Sequence, residues 1–134
     1  MYYGQVAGPL SIGAIGFTRK LLLVTFILIC SPKLQNENFT QTGKASFYAN
    51  KFEGRKTASG EVFRQNVLTA AHKTLTFGTM VKVTNLKNDS IVLVKINDRL
   101  SKSSKHVIDL SLKAAKQLNF VRNGYANVKI DKIE

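Results

Sequence analysis

Residues 80–98, MVKVTNLKNDSIVLVKIND, decide the fold class of this chain. Apolar residues alternate with polar ones on both sides of the central LKND, which is the pattern of two half-buried β-strands. The apolar positions that share one side are Val81, Val83, Val92, Val94 and Ile96. Asn and Asp tolerate the positive φ angles of tight turns, so residues 80–85 and 90–98 are predicted to form a hairpin through Asn88-Asp89.

The rest of this region contains more short strand patterns and one helix pattern. Further strands are predicted at residues 43–48, 67–71, 107–110 and 126–133. Six short strands in so short a chain favour a small β-barrel. One helix is predicted over residues 111–119, with Ser111 as its N-cap and with Leu112, Ala115 and Leu118 on its buried face. The predicted fold class is therefore all-β, a six-stranded barrel with one short helix.

Residues 49–66, ANKFEGRKTASGEVFRQN, separate the first two predicted strands. Their Gly, Ser and Asn content predicts a long irregular loop. Loops of that length in compact domains are often functional, so this segment is a candidate to carry part of a site.

Composition limits the kinds of protein that this chain can be. Its 134 residues suit a single domain, and 44% hydrophobic residues with only 2 Pro and 9 Gly exclude a collagen-like or disordered chain. The solitary Cys excludes a disulfide framework and a thiolate zinc site. The two His lie far apart in the sequence, so no metal site is predicted. No cofactor is predicted either.

The amino-terminal segment has the order of a secretory signal peptide. Arg19 and Lys20 precede an apolar block at residues 21–29, which Cys30 and Ser31 follow. A buried strand and a short anchor are the alternatives, and the block is too short to span a bilayer. Cys30 lies where a lipoprotein carries its acylated cysteine, so attachment to a membrane through Cys30 or through the apolar block stays open.

These observations predict the domain organisation. Residues 1–31 are predicted as a signal peptide or lipoprotein signal, residues 32–42 as a polar linker, and residues 43–134 as the folded domain. The protein is therefore expected to be exported.

The chain is strongly basic, with 20 Lys and Arg against 8 Asp and Glu and a formal net charge of +12. Nucleic acid, an anionic membrane surface and an acidic polysaccharide are the candidate partners, and a solvated basic surface without a specific ligand is the alternative. An exported chain rarely meets nucleic acid, and here Lys and Arg are scattered rather than interleaved with aromatic residues. The acidic polymers of a cell wall are therefore favoured over nucleic acid.

Strand parity picks out two candidate catalytic side chains. Asp98 continues the apolar row that includes Ile96, and His72 ends the row of Leu68 and Ala70. Both are therefore expected at a rim of the barrel, where a carboxylic acid beside apolar walls is suited to general acid catalysis. The alternatives are an Asp satisfied by backbone amides and a core His hydrogen-bonded to a carbonyl group.

Glu61 and Asp109 are two further acidic residues with possible roles. Glu61 lies in the long loop, where it could reach over the rim as a second carboxylate or accept a sugar hydroxyl, and a solvated side chain is the alternative. Asp109 lies two residues before the predicted helix. It is interpreted as structural, with side-chain bonds to the backbone at the strand-to-helix junction.

Several blocks of the sequence, in order, resemble the RlpA-like (rare lipoprotein A) septal lytic transglycosylases. The blocks are GKASFY (43–48), FEGRKTASGE (52–61), LTAAHKTL (68–75), FGT (77–79), VTNL (83–86), INDR (96–99) and IDLS (108–111). The resemblance covers nearly all of residues 43–134. It implies a double-psi β-barrel, a fold shared with expansin and endoglucanase domains, and a place in the bacterial periplasm or cell envelope.

The resemblance also implies an activity and a site. Asp98 and His72 would form the catalytic groove with Glu61 beside them, and Ser59 and Asn97, in the same blocks, are expected to bind substrate. The implied reaction cleaves the β-1,4 bond between N-acetylmuramic acid and N-acetylglucosamine in peptidoglycan glycan strands and leaves 1,6-anhydro ends. A monomer without a nucleic-acid partner is expected.

The sequence departs from the family at Leu100, where glycine usually follows the Asn-Asp-Arg block. Glycine lets a backbone approach a ligand more closely than leucine does. This departure favours the alternative function, a non-catalytic, expansin-like module that binds peptidoglycan or another polysaccharide of the cell envelope.

Overall fold

The computed structural model describes residues 38–133, which form a closed barrel of six strands with one short helix. The strands are β1 (Thr40–Phe47), β2 (Thr69–His72), β3 (Met80–Asn85), β4 (Ile91–Arg99), β5 (Ile108–Leu110) and β6 (Ala126–Lys132). Helix α1 spans Leu112–Gln117, and a single 3-10 turn spans Asn50–Phe52. The predicted fold class is confirmed.

The strands close in the order β1-β5-β2-β4-β3-β6. The β1–β5 and β2–β4 pairs are parallel, whereas the other neighbouring pairs are antiparallel. This mixed, interlocked pairing is a double-psi β-barrel. Because β2 and β4 run parallel, their carboxyl ends, His72 and Arg99, lie side by side.

The barrel interior is filled by the alternating apolar side chains of the strands. The predicted inward positions of the β3–β4 hairpin are all buried: Val81, Val83, Val92, Val94 and Ile96. Each such side chain contributes roughly 1.5–3 kcal/mol when fully buried. In α1 the buried residues are Ala114 and Ala115, while Leu112 is only half-buried, so the buried face is rotated from the predicted one.

Most element boundaries agree with prediction to within single residues, and two differ in ways that affect the site. β1 begins at Thr40 rather than Gly43, because Thr40, Gln41 and Thr42 pair with β6. These residues belong to the barrel and not to a linker. β2 ends at His72 rather than Ala71, so His72 lies within the sheet.

The β3–β4 hairpin forms as predicted, with one difference in its turn. Asp89 has a φ of 59°, but Asn88 does not have a positive φ. Instead the Asn88 side chain holds the turn, because its Oδ1 accepts hydrogen bonds from the N–H and hydroxyl of Ser90 at 3.0 and 2.6 Å.

The predicted signal at residues 1–31 and most of the predicted linker lie outside the described residues. Within residues 38–133, no helix is long and apolar enough to cross a membrane.

Candidate functional site

A β-bulge at the end of β4 determines where Asp98 points. Ala70 of β2 is opposite Ile96, but Ala71 is opposite Asp98, which leaves Asn97 as an extra residue in β4. One inserted residue shifts the alternation of side chains, so Asp98 lies on the outer face of the barrel wall. For this reason the prediction that Asp98 ends the inner apolar row, which was based on strand alternation, is wrong.

The carboxylate of Asp98 is held by three hydrogen-bond donors. The hydroxyl of Tyr48 donates to Oδ2 at 2.6 Å, and the backbone N–H groups of Ala58 and Arg99 each donate to Oδ1 at 2.8 Å. The side chain is half-buried. Because every partner donates, Asp98 accepts as a carboxylate, and its orientation is fixed from both oxygens.

Tyr48 was missed by the sequence analysis. Its ring packs against Phe63 and Phe52, with centroids 4.3 and 5.9 Å away. Burial raises the pKa of Tyr48 far above its ordinary value, and the hydrogen bond to Asp98 raises it further. The phenol is therefore protonated at neutral pH. Periodicity could not have found it, because its partner Asp98 is 50 residues away in the sequence.

Glu61 lies beside the bulge and contacts two β4 side chains. Its Oε1 is 2.8 Å from Nζ of Lys95, and its Oε2 accepts from Nδ2 of Asn97 at 3.0 Å. The hydrogen bond from Lys95, and next that from Asn97, lowers the pKa of this exposed carboxyl group. Lys95 was not singled out by the sequence analysis.

Ser59 joins the same cluster through its backbone and its hydroxyl. Its N–H donates to the carbonyl of Asn97 at 3.2 Å, and its Oγ accepts from the N–H of Glu61 at 3.3 Å. Gly60, with a φ of 90°, allows the tight turn between Ser59 and Glu61. The structure therefore brings together Glu61, Ser59 and Asn97, and the neighbouring Ala58 joins this loop to Asp98.

His72 lies apart from this cluster, on the inner face at the end of the barrel. Only 2% of its surface is exposed. The N–H groups of Thr74 and Leu75 each donate to Nδ1 at 3.1 Å. The proton is therefore on Nε2, which donates to Oε1 of Gln41 at 2.8 Å. Neither ring nitrogen is free to bind a sugar or Asp98. The two residues lie at the same end of the barrel but on opposite faces of its wall.

The surroundings of His72 favour a neutral imidazole. Burial lowers its pKa, and the positive charges of Arg99 and Lys73 lower it further. The ring of Phe39 packs edge-on, with centroids 5.7 Å apart. His72 is thus a satisfied interior side chain.

Arg99 connects the His72 region with the Asp98 region. Its guanidinium donates to the carbonyls of His72 and Leu75 at 3.0 and 2.8 Å, and its backbone N–H is one of the donors to Asp98. The N–H of Leu100 also donates to the carbonyl of His72, at 3.2 Å. The carboxyl ends of β2 and β4 are therefore tied together by backbone contacts.

Asp109 has a different partner from the one predicted. Its Oδ1 accepts from the hydroxyl of Ser46 across the β1–β5 pair, and no backbone bond of its carboxylate is found in residues 38–133. Ala71 lies between Asp109 and Asp98 in the register, so both carboxylates lie on the outer face. The charge of Asp109 also contributes to the raised pKa of Tyr48.

No group of three or more His, Cys, Asp or Glu side chains within the described part of the chain is arranged to hold a metal ion. The site is therefore made of one oriented carboxylate, a phenol and a neighbouring ion pair. Such a site can exchange a proton and bind hydroxyl groups.

The chain is similar to known proteins in both sequence and fold. The family model described as "Lytic transglycolase" matches residues 40–130. The endolytic peptidoglycan transglycosylase RlpA of Neisseria meningitidis serogroup A is 50% identical over 103 residues, which make up 77% of this chain and 43% of that protein. The chain spans less than half the length of the curated relatives it matches.

Solved structures with low sequence identity share the fold. The Streptomyces papain inhibitor superposes with a TM-score of 0.59 at 19% identity, covering 72% of this chain and 96% of that one. The expansin of Clavibacter michiganensis gives 0.57 at 20% identity, covering 72% and 51%. These two structures support the barrel fold. The family model and the Neisseria relative show that the chain belongs to the family of RlpA-like lytic transglycosylases.

Proposed function

We propose that this chain is a peptidoglycan lytic transglycosylase of the bacterial cell envelope. It would cleave the β-1,4 bond between N-acetylmuramic acid and N-acetylglucosamine and leave 1,6-anhydro-muramic ends. Family membership supports this reaction, and the Neisseria relative carries the same activity in its name. The observation that carries the proposal is the oriented carboxylate of Asp98 on the outer face, between Tyr48 and the loop that bears Glu61.

In this proposal Asp98 is the catalytic acid and base. Protonated Asp98 gives its proton to the glycosidic oxygen as the bond to the muramic C1 breaks. The C6 hydroxyl of the same sugar then bonds to C1, and its proton returns to the Asp98 carboxylate. The nucleophile belongs to the substrate, so no water is consumed and one carboxyl group serves both steps.

Tyr48 supports both forms of Asp98. A phenol can donate a hydrogen bond to the carboxylate or accept one from the protonated acid. The N–H of Ala58 donates to Oδ1 of Asp98 and keeps the carboxyl group oriented. Tyr48 therefore positions the acid without itself transferring a proton.

Glu61, Asn97 and Ser59 are proposed to bind the substrate. The lowered pKa keeps Glu61 ionised at neutral pH, so its charge can stabilise positive charge that develops at the anomeric carbon. Asn97 and Lys95 orient the carboxylate. Ser59 supplies a hydroxyl in the same loop.

His72 is proposed as a positioning residue. Its carbonyl accepts from the guanidinium of Arg99, which directly follows Asp98 in β4, and from the N–H of Leu100. Its ring fixes the turn at Thr74 and Leu75. Changes at His72 are therefore expected to reach Asp98 through the backbone.

Export is part of the proposal. The apolar block at residues 21–29 behind Arg19 and Lys20, followed by Cys30, supports a signal segment with acylation at the cysteine. Metabolic labelling with a fatty-acid probe tests this point. Label on the wild type and none on Cys30→Ser supports lipidation, and label on neither contradicts it.

The activity is tested on peptidoglycan stripped of stem peptides, with products identified by mass spectrometry. Wild type is expected to release anhydro-muramic ends. Asp98→Asn is expected to lower the rate by at least about 100-fold, because general acid–base catalysis contributes 10²–10⁴-fold. Asp89→Asn makes the same chemical change at a turn position that tolerates Asn and is expected to keep full activity. Reducing ends would indicate a hydrolase instead, and an active Asp98→Asn would remove Asp98 from the mechanism.

A non-catalytic glycan-binding module is the second candidate. Two observations favour it: the backbone N–H groups of Ala58 and Arg99 can only donate and so stabilise the carboxylate form of Asp98, and Leu100 occupies the usual glycine position of the family. The Clavibacter expansin shares the fold. Wild-type protein that binds stripped glycan and releases nothing would establish this function.

A further inference from the structure

One concavity among the described residues does not include Asp98. It has a volume of about 1020 Å³ and lies where the β3–β4 turn meets the end of α1 and the start of β6. The strand from Ile91 to Asp98 covers roughly 23 Å, so this concavity lies at the opposite end of β4 from the proposed catalytic site.

The concavity is positively charged. Lys87 and Arg122 line it, and no Asp or Glu does. Neither cation forms a salt bridge within residues 38–133. Nζ of Lys44 adds positive charge nearby, 5.0 Å from the centroid of the Tyr125 ring, and Tyr125 lines the concavity. A concave surface with charge of one sign attracts ligands of the opposite charge.

Asparagine amides supply the polar groups of the concavity in two distinct ways. Asn85 and Asn88 build its wall, because their Nδ2 atoms donate to the carbonyl of Leu118 at 2.8 and 3.2 Å. Asn119, Asn123 and Asn127 also line it and are exposed, and their side chains form no hydrogen bond with another described residue. Each amide presents a donor and an acceptor together, which matches sugar hydroxyls and N-acetyl groups.

Tyr125 gives the concavity an apolar surface. Half of its surface, 50%, is exposed. An aromatic ring with a polar hydroxyl suits the face of a sugar ring, which is apolar at its C–H groups and polar at its edge. Two lining cations are few for tracking a nucleic-acid backbone, whose phosphates recur every few ångströms.

We propose that this concavity is a second binding site, for an N-acetylated glycan that carries carboxylates. Arg122 and Lys87 pair with the carboxylates, the three exposed asparagines bind hydroxyl and acetamido groups, and Tyr125 packs on a sugar ring. The choice of glycan rests on the proposed function, since one long polymer can occupy both ends of the barrel. The site would hold the polymer and leave the chemistry at Asp98 unchanged.

The test uses the full chain with the Asp98→Asn substitution, so that the glycan is not consumed. The probe is a soluble tetrasaccharide of alternating N-acetylglucosamine and N-acetylmuramic acid, added while the side-chain amide signals of Asn119, Asn123 and Asn127 are followed by NMR. These signals are expected to shift and saturate. The double variant Lys87→Ala, Arg122→Ala is expected to bind at least tenfold more weakly at these amides. Lys113→Ala, Lys116→Ala removes the same charge from α1 and is expected to bind like the parent.

The outcomes distinguish the second binding site from the transglycosylase activity. Anhydro products from wild type without amide shifts would overturn the second site and leave the transglycosylase intact. Amide shifts without products would support the second site and overturn the activity. Equal shifts with an uncharged N-acetylglucosamine tetramer would remove the role of the carboxylate, and tighter binding of a single-stranded oligonucleotide would replace the glycan by nucleic acid. On short soluble glycan the Lys87→Ala, Arg122→Ala variant should turn over like wild type, and on intact sacculi several-fold more slowly.

Discussion

Asp98 and His72 are one register step apart across the β2–β4 pair, yet their surroundings are opposite. Ala71 lies opposite Asp98, and His72 lies opposite Arg99. Asp98 points outward, half-buried, between a phenol and a loop. His72 points inward and is 2% exposed, with both ring nitrogens bonded to other parts of the protein. Adjacent positions in a strand face opposite sides of a sheet, so one step separates a candidate acid from an interior support.

The difference shows that a polar residue at the end of an apolar strand can have either of two roles. The inner face offers hydrogen bonds that are completed within the protein, as with Gln41 and Thr74 around His72. On the outer face Asp98 is only half-buried, and the neighbouring loop residue Glu61 is in contact with solvent. Substitutions of His72 should therefore impair folding, whereas substitutions of Asp98 should impair turnover.

His72→Ala should produce the largest change in stability. It removes the acceptor for two backbone N–H groups and the donor to Gln41, inside a packed core. The free energy of unfolding is expected to fall by about 3 kcal/mol. Urea denaturation at pH 7.5 measures it, with His106→Ala as control, expected within about 0.5 kcal/mol of wild type. If His72→Ala unfolds like wild type but loses turnover, the imidazole acts on substrate and the contrast with Asp98 disappears.

Tyr48→Phe tests the other side of the contrast. It keeps the ring packed on Phe63 and removes the hydroxyl that donates to Asp98. Turnover is expected to fall roughly tenfold, the equivalent of one hydrogen bond to a charged group, with a smaller change in the unfolding free energy. Release of anhydro ends from short glycan measures it. Asp89→Asn, in the turn remote from Asp98, should leave this rate unchanged.

The barrel was predictable from the sequence, but the relation between its two polar strand ends was not. Alternating apolar residues in 80–85 and 90–98 fix which side of each strand faces inward, and packing enforces that choice. The bulge at Asn97 has no such signal, because an extra residue is defined only by its partner strand. The buried, hydrogen-bonded state of His72 was one of the two alternatives that the sequence left open. Its bond to Gln41 joins positions far apart in the chain, which periodicity does not reveal.

Acidic pH should lower the stability of the fold through His72. The pKa of His72 is lowered from 6.5 on folding, so below that value the unfolded chain binds more protons than the folded one. Stability is therefore complete above pH 6.5 and decreases as the pH falls, by at most about 1.4 kcal/mol per pH unit for this group. NMR titration of the imidazole should give a midpoint below 6.5. A midpoint above it would contradict the buried, neutral state.

Glu61→Gln should have the smallest effect on stability. The Glu61–Lys95 ion pair is exposed at both ends, and pairs of this kind contribute less than about 1 kcal/mol. Urea denaturation of Glu61→Gln, Lys95→Met and the double variant gives the coupling directly, and added salt should reduce it. Glu53→Gln, in the exposed pair with Arg64, is the matched control. A coupling of several kcal/mol would place this cluster among the structural supports, beside His72.

Ring closure of the sheet has a consequence for self-association. Every one of the six strands in residues 38–133 has a neighbour on both sides. An open sheet has two edge strands, to which a strand of another molecule can add along their whole length, whereas this closed barrel has no edge strand. At high local concentration, copies of this domain should therefore resist the strand-by-strand growth that leads to fibrils.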